Sequence, residues 1–264
     1  MSTYRTQGII IRRSNFGESS LILNVYTKDY GKIEAVARSA RKPKGKLKGH
    51  LELFLLSDFI FAYGKSIDRI ANSFSLENYE NVKNNLNISF GAYYISELTD
   101  RVTENGYKNE RMYYLFKETM DFLNSLCVDD ALKYYLAIIQ YQINVMQLSG
   151  FFPEINKCVI CKEDITLEEN AFSFSYGGVA GKKCVCNDDS AIDIDNDAIK
   201  IMRLLQIDKR DANIYRNNIK NNIKIISKLK VKKKTIFQLI RLMNKFIENN
   251  IERKINSVVF LRVV

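Results

Sequence analysis

Histidine is almost missing from this chain. His50 is the only one in 264 residues, and tryptophan is absent altogether. A lone imidazole leaves no Ser–His or Cys–His pair with an orienting third group, so the usual nucleophilic machinery has no place here. No Gly-x-x-x-x-Gly-Lys-Ser/Thr loop occurs either. Gly177-Gly178-Val179-Ala180-Gly181-Lys182-Lys183 resembles one but lacks the closing hydroxyl residue. No carboxylate set with metal-ligand spacing stands beside a base, which argues against a metal-dependent nuclease. No apolar run approaches the ~20 residues that cross a bilayer, and the N-terminus Met1-Ser2-Thr3-Tyr4-Arg5-Thr6-Gln7 carries no apolar signal segment. These absences lead us to expect a soluble cytoplasmic protein that is not an enzyme.

What is present begins with thiols. Four of the five cysteines fall in one short stretch, as Cys158-Val159-Ile160-Cys161 and Cys184-Val185-Cys186. Two thiolates two residues apart grip a metal from a tight turn, and a second pair closes a tetrahedron. The spacing therefore predicts a structural zinc knuckle with Cys158, Cys161, Cys184 and Cys186 as ligands. The bland alternative is a set of unrelated thiols. A thioredoxin-like redox motif fits poorly, because the polar run Lys162-Glu163-Asp164 follows the first pair where a helix should open.

Charge is unevenly distributed. Residues 1–50 hold eleven Lys/Arg against three Asp/Glu, residues 51–199 twelve against twenty-three, and residues 200–264 seventeen against four. Two basic ends around an acidic middle suit a partner with a polyanionic backbone, because each cation that meets a phosphate releases condensed counterions. The densest stretch is 38–49, with six cations, one proline and two glycines. It reads as a mobile basic loop, and Arg38, Arg41, Lys42, Lys44, Lys46 and Lys48 are the candidate phosphate contacts. Arg12, Arg13 and Lys32 are added as barrel-surface candidates. A second run, Lys228 to Lys234, carries five lysines in seven positions and reads as a solvated loop between helices.

Periodicity divides the chain. Segments 7–12, 21–26, 33–37, 54–63 and 67–76 are β-rich and separated by turn residues, which predicts a small closed barrel over 1–80. An oligonucleotide-binding (OB) fold has the right strand number, although periodicity alone does not separate it from an SH3-like barrel. From 81 to 264 the spacing becomes helical, with a cysteine-rich insertion at 154–190. Gly150, before Phe151-Phe152-Pro153, predicts a helix stop, and 235–247 an amphipathic helix. The expected class is α+β: a five-stranded OB barrel, then a helical domain with an inserted zinc knuckle. Tyr4, Phe16, Tyr26 and Tyr30 are placed to stack on bases, but aromatics in small barrels are more often core.

Several weak motifs in fixed order carry a resemblance. Gly17-Glu18-Ser19-Ser20-Leu21-Ile22-Leu23, Tyr26-Thr27-Lys28-Asp29-Tyr30-Gly31-Lys32-Ile33 and Val36-Ala37-Arg38-Ser39-Ala40-Arg41-Lys42 are similar to the N-terminal barrel of the bacterial RecO family of recombination mediators. Leu148-Ser149-Gly150-Phe151-Phe152-Pro153 leading to Cys158, Tyr176-Gly177-Gly178, and the tail Ile255-Asn256-Ser257-Val258-Val259-Phe260-Leu261 extend it over nearly the whole chain. The resemblance implies a DNA repair and recombination mediator, nucleoid-associated in the cytoplasm. Such a protein binds single- and double-stranded DNA, anneals complementary strands and helps load RecA. Its implied partners are RecR and the acidic C-terminal tail of single-stranded DNA-binding protein. In the family pattern Cys-x-x-Cys follows the double glycine. Here Gly181 stands at the third cysteine's position, and Cys186 is the candidate substitute. The rival expectation is a protein-interaction scaffold that binds no DNA and is stabilised by structural zinc.

Overall fold

The computed structural model describes residues 2–42, 47, 49–127, 130–166, 168–207 and 212–261. The chain divides into two compact units, Met1–Leu126 with Ile255–Arg262, and Cys127–Lys254 with Val263–Val264. No helix among the described residues is long and apolar enough to cross a membrane.

The first unit is built on a closed barrel of five strands, β1 (Thr3–Phe16), β2 (Ser20–Thr27), β3 (Gly31–Ala37), β4 (Leu56–Ala62) and β5 (Asp68–Glu77), in the order β1-β2-β3-β5-β4. Together with the helical second unit it makes the chain an α+β protein with an OB-like barrel. β1 is long enough to pair with β2 along one stretch and β4 along another. A register shift between Ile10 and Arg12 leaves an extra residue there, a bulge that coils the strand around the barrel. Closure comes from a short parallel pairing of β3 with β5, Ala35 opposite Asp68 and Val36 opposite Arg69. The interior is filled by Ile10, Leu21, Leu23, Val25, Phe59, Phe61 and Ile70, with Leu47, Leu51 and Leu55 packed in from the β3–β4 connection. The described part of that connection is therefore anchored by apolar side chains.

Strand gives way to helix between Glu77 and Glu80, but the compact unit runs on. Helices α1 (Glu80–Asn84), α2 (Leu86–Val102) and α3 (Glu110–Ser125) belong with the barrel. The Asn85 side chain caps α2 by accepting from the Asn87 and Ile88 amides. The loop after α2 is stitched to β3, because the Gly106 amide donates to the Lys32 carbonyl at 2.9 Å. At the chain's end, the Glu97 carboxylate on α2 accepts from the Asn256 amide and from the amide and hydroxyl of Ser257. Phe260 then stacks on Phe90 with centroids 4.9 Å apart.

The second unit contains α4 (Ala131–Leu148), α5 (Asn196–Leu205), α6 (Ala212–Lys228) and α7 (Lys233–Ile251), and a three-stranded sheet of order β7-β6-β8. Its strands are β6 (Asn170–Ser173), β7 (Gly178–Gly181) and β8 (Ile192–Ile194). Helix α4 stops where expected: Gly150 takes φ +88°, and the Phe151 amide returns to the Met146 carbonyl. Buried Asn144 on α4 donates to the Leu205 carbonyl and accepts from the Ile207 amide, each at 2.9 Å, and Asn222 on α6 donates to the same Leu205 carbonyl. This polar clasp joins three helices without leaving the α5 terminus unsatisfied. Helix α6 lies in the expected helical region, but the loop expected from Lys228 to Lys234 is shorter: only Lys230 and Lys232 lie in the α6–α7 connection, while Lys228 ends α6 and Lys233 and Lys234 open α7.

Gly31 tests the barrel-to-loop stitching. It has φ +67°, and a Cβ there would stand 2.0 Å from the Tyr107 carbonyl oxygen, whereas Gly17 at φ +57° has open space. Gly17→Ala should cost about 1 kcal/mol of backbone strain alone. Gly31→Ala should cost about 3 kcal/mol or more, because the loop must also move. Denaturant midpoints of the two variants measure the difference.

Candidate nucleic-acid interface and cysteine cluster

The sequence-derived cations separate into distinct environments. Arg12 and Arg13 are exposed on β1 and line a hollow with Arg101, Glu97 and Asp100. Arg12 lies 3.7 Å from an Asp100 carboxylate oxygen. Lys32 is a different case and corrects the expectation of a surface cation. Its side chain is only 11% exposed, and its Nζ donates to the Asp100 carbonyl at 2.6 Å and pairs with the Asp100 carboxylate at 3.1 Å. Alternation along β3 turns this residue toward α2, so its charge serves the packing of that helix.

Arg38, Arg41 and Lys42 are exposed just past β3. The turn that carries them is held down: the Arg41 amide donates to the Ser19 carbonyl at 2.9 Å, its guanidinium lies 3.4 Å from the Gly17 carbonyl, and Ala40 is buried. Among the described residues this part of the segment is an ordered turn, where a mobile loop was expected. Lys44, Lys46 and Lys48 lie outside the described residues. Arg38 also lines a cleft of about 670 Å³ at the same end of the barrel with Phe16, Tyr63, Lys65 and Arg69. Sequence reasoning missed Tyr63, Lys65 and Arg69, which lie 25–31 positions away from Arg38 in the chain. Only the β3–β5 pairing, which sets Arg69 opposite Val36, brings them together. Of the aromatics named for stacking, Tyr26 is fully buried, Tyr4 is half-buried, and Tyr30 and Phe16 reach the surface.

In the second unit the sulfurs of Cys158, Cys161 and Cys184 lie within 4.8 Å of one another, and they are the only such group among the described residues. Gly177 and Gly178 make this possible. Gly177 takes φ +69°, and a Cβ on Gly178 would stand 2.4 Å from the Glu154 carbonyl, so the β6–β7 turn presses directly on the chain entering the first cysteine pair. The Val159 amide then donates to the Val179 carbonyl at 3.0 Å, locking the first pair beside β7. Burial disfavours a thiolate at Cys158, but amides of Cys161, Ile160 and Gly181 and the Cys161 thiol all point at its sulfur and bring its pKa down to about 7. The Cys184 thiol is pushed up to about 11, first by its hydrogen bonds to Cys161 and Cys158 and then by desolvation. Thiols this close give up their protons when a soft divalent cation binds.

Cys186 is not part of it. Its thiol is exposed and turned toward the Lys183 carbonyl at 3.2 Å. Successive residues of the short turn after β7 point different ways, so Cys184 and Cys186 do not converge. A Cβ on Gly181 would instead lie 4.0 Å from the Cys184 sulfur. Gly181 thus occupies the place from which a fourth thiolate would reach the group. The three sulfurs suit a metal ion such as zinc, with one coordination position left for another donor.

A barrel of OB type bearing cations on one rim, and a second helical unit bearing a three-cysteine group beside a small sheet, define a two-unit α+β protein of the oligonucleotide-binding-barrel class. The sequence pattern described as "Recombination protein O N terminal" matches residues 1–79, and that described as "Recombination protein O C terminal" matches residues 83–258. The chain belongs to this recombination protein O family, and its role lies in DNA repair and recombination. It is 32% identical over 228 residues to DNA repair protein RecO of Dehalococcoides mccartyi strain 195, covering 86% of this chain and 87% of the relative. It is 29% identical to DNA repair protein RecO of Roseiflexus sp. RS-1, covering 98% and 84%, and 27% identical to that of Halalkalibacterium halodurans, covering 76% of each.

Two measurements check these assignments. Lys32→Ala should lower stability by about 2 kcal/mol, because it removes the half of the Asp100 pairing that is most buried and leaves that carboxylate with Asn24 and Arg12 alone, while the affinity of the folded protein for polyanions, read by heparin-column elution, stays the same. Cobalt(II) titration followed through thiolate charge-transfer absorption should give one ion per chain in wild type and in Cys186→Ser. The same titration should give markedly weaker binding in Cys184→Ser and tighter binding in Gly181→Cys. Loss of uptake in Cys186→Ser would return that residue to the ligand set.

Proposed function

We propose that this protein is a non-enzymatic mediator that binds single- and double-stranded DNA, anneals complementary strands and helps load RecA together with RecR. It works at the nucleoid in the cytoplasm and engages the acidic tail of single-stranded DNA-binding protein. The observation that carries this reading is a set of cations without internal partners on one rim of an OB-like barrel. Arg38, Lys65 and Arg69 have no ion pair among the described residues, and Arg41 and Lys42 are exposed beside them. Annealing needs little more than this. Two strands held on one cationic surface have their mutual repulsion screened, and base pairing selects the partner. No bond need be made or broken by the protein. The partners and the loading step rest on family membership.

Zinc is the metal we assign to Cys158, Cys161 and Cys184, as the ion that favours thiolate ligands without redox chemistry. Bound there it would supply a cross-link between the first cysteine pair and the end of β7. The described residues around it provide amide donors to the sulfurs.

The reading requires a steep salt dependence with little sequence preference. Replacing Arg38, Arg41, Lys42, Lys44, Lys46 and Lys48 by Gln should weaken single-strand binding. It should also flatten the slope of log K against log salt by about four if each cation meets one phosphate, at ~0.7 per contact. Unchanged affinity and slope would remove the segment from the interface. Wild-type protein that binds no DNA near physiological salt would favour the scaffold instead.

A further inference from the structure

The cleft at the β3–β5 end of the barrel combines features that sequence order does not join. Phe16, at the end of β1, and Tyr63, after β4, are 51% and 50% exposed and both line it. Arg38, Lys65 and Arg69 line it too, and among the described residues no carboxylate does. Asp68, next to Arg69 in the chain, is already engaged: its carboxylate accepts from the Gly64 amide at 3.0 Å and from the Tyr4 hydroxyl. That engagement also stiffens the wall. A Cβ on Gly64 would stand 1.8 Å from the Ile67 carbonyl oxygen, so the 63–68 turn closes as tightly as a chain can. The Tyr63 ring is held by Tyr4, with centroids 4.7 Å apart.

We infer that this cleft is a stacking subsite for an unpaired nucleotide of single-stranded DNA, with its base against Phe16 and Tyr63 and its phosphates on Arg38, Lys65 and Arg69. The charge complementarity selects a polyanion, and the aromatic pair selects one whose bases are free. A duplex offers phosphates but no open ring faces, so the cleft discriminates single from double strands where the rim cations alone do not. Stacking is indifferent to base identity, which fits a protein that must act on any sequence. The volume of about 670 Å³ accommodates one or two nucleotides. The subsite rests on the DNA-binding reading above and adds to it a specific source of single-strand preference.

The absence of tryptophan from the chain supplies the test. Phe16→Trp or Tyr63→Trp introduces a sole tryptophan, and its fluorescence should be quenched on saturation with oligo(dT) but little changed by a duplex of equal length. Separately, Phe16→Ala with Tyr63→Ala should weaken oligo(dT) binding at least about tenfold through lost stacking, leaving the salt slope and the duplex affinity unaltered. Arg38→Gln with Arg69→Gln should do the converse, reducing the single-strand slope by about 1.4 at ~0.7 per phosphate. Wild-type protein that fails to bind oligo(dT) even in dilute buffer overturns the DNA-binding reading itself. Wild-type binding matched by an undiminished Phe16→Ala/Tyr63→Ala variant, or by an unquenched tryptophan, overturns the stacking subsite alone.

Discussion

The parallel contact between β3 and β5 is short, two residue pairs, yet the first unit depends on it. An open five-stranded sheet would leave backbone donors and acceptors of β3 and β5 unpaired at its edges, ready to pair with another chain. Closure satisfies them and encloses the apolar side chains of every strand. It also fixes which loops become neighbours. The turn after β4 and the turn after β3 are far apart in sequence, and the register Val36 opposite Arg69 is what sets Lys65 and Arg69 beside Arg38. The tight Gly64 turn and the Asp68 carboxylate that caps it belong to the same constraint: they hold β5 in the direction that lets it run parallel to β3.

Much of the fold could be read from periodicity because burial obeys it. The five strands alternate where one face meets the barrel interior, and α7 repeats apolar residues every three or four because one face meets α4 and α5. The bounds of helix α6 within the helical region were illegible for a physical reason. Its face, formed by Tyr215, Ile219, Asn222 and Ile226, is helical in spacing, but five asparagines depress intrinsic propensity and one of them, Asn222, faces inward to bond the Leu205 carbonyl. Tertiary hydrogen bonding stabilises a helix that local preference does not favour. The unit boundary was similarly hidden. Periodicity changes near residue 80, but the loop stitched to Gly31 and Lys32 and the Glu97 carboxylate bound to Ser257 tie three helices and the chain's end to the barrel.

The site was less legible than the fold, because net charge along a sequence does not say which charges are already spent. Lys32 sits in a basic stretch and is neutralised by Asp100 from α2. Arg5 is held by Asp58 with contacts from 2.6 to 3.0 Å, and Lys83 by Glu52 at 2.8 Å. Such exposed pairs add little stability, but they cancel the local field that a polyanion would feel. Arg38, Lys65 and Arg69 retain theirs. Two of these three belong to the stretch that, by residue counting, is the acidic middle of the chain. Counting over segments therefore points to a polyanion while misplacing two of the three residues proposed to meet it.

The cysteine group obeys a separate logic. Spacing identified Cys158 and Cys161 correctly as a turn that converges two sulfurs, since the intervening amides aim at the Cys158 sulfur and turn the second cysteine back. Spacing could not decide between Cys184 and Cys186, because a Cys-x-Cys pair converges only when the backbone between is suitably bent, and here the turn after β7 sends the second thiol toward Lys183. A metal held by the group would close a loop of some two dozen residues that contains β6 and β7, two of the three short strands of a sheet too small to bury much apolar surface. Its few core residues, Val159, Ala171, Ala180 and Val185, surround the Cys158 side chain itself. Such a cross-link would constrain the unfolded loop where hydrophobic burial is least able to, so its contribution would fall on the small sheet, and the barrel of the other unit draws its stability from its own closure.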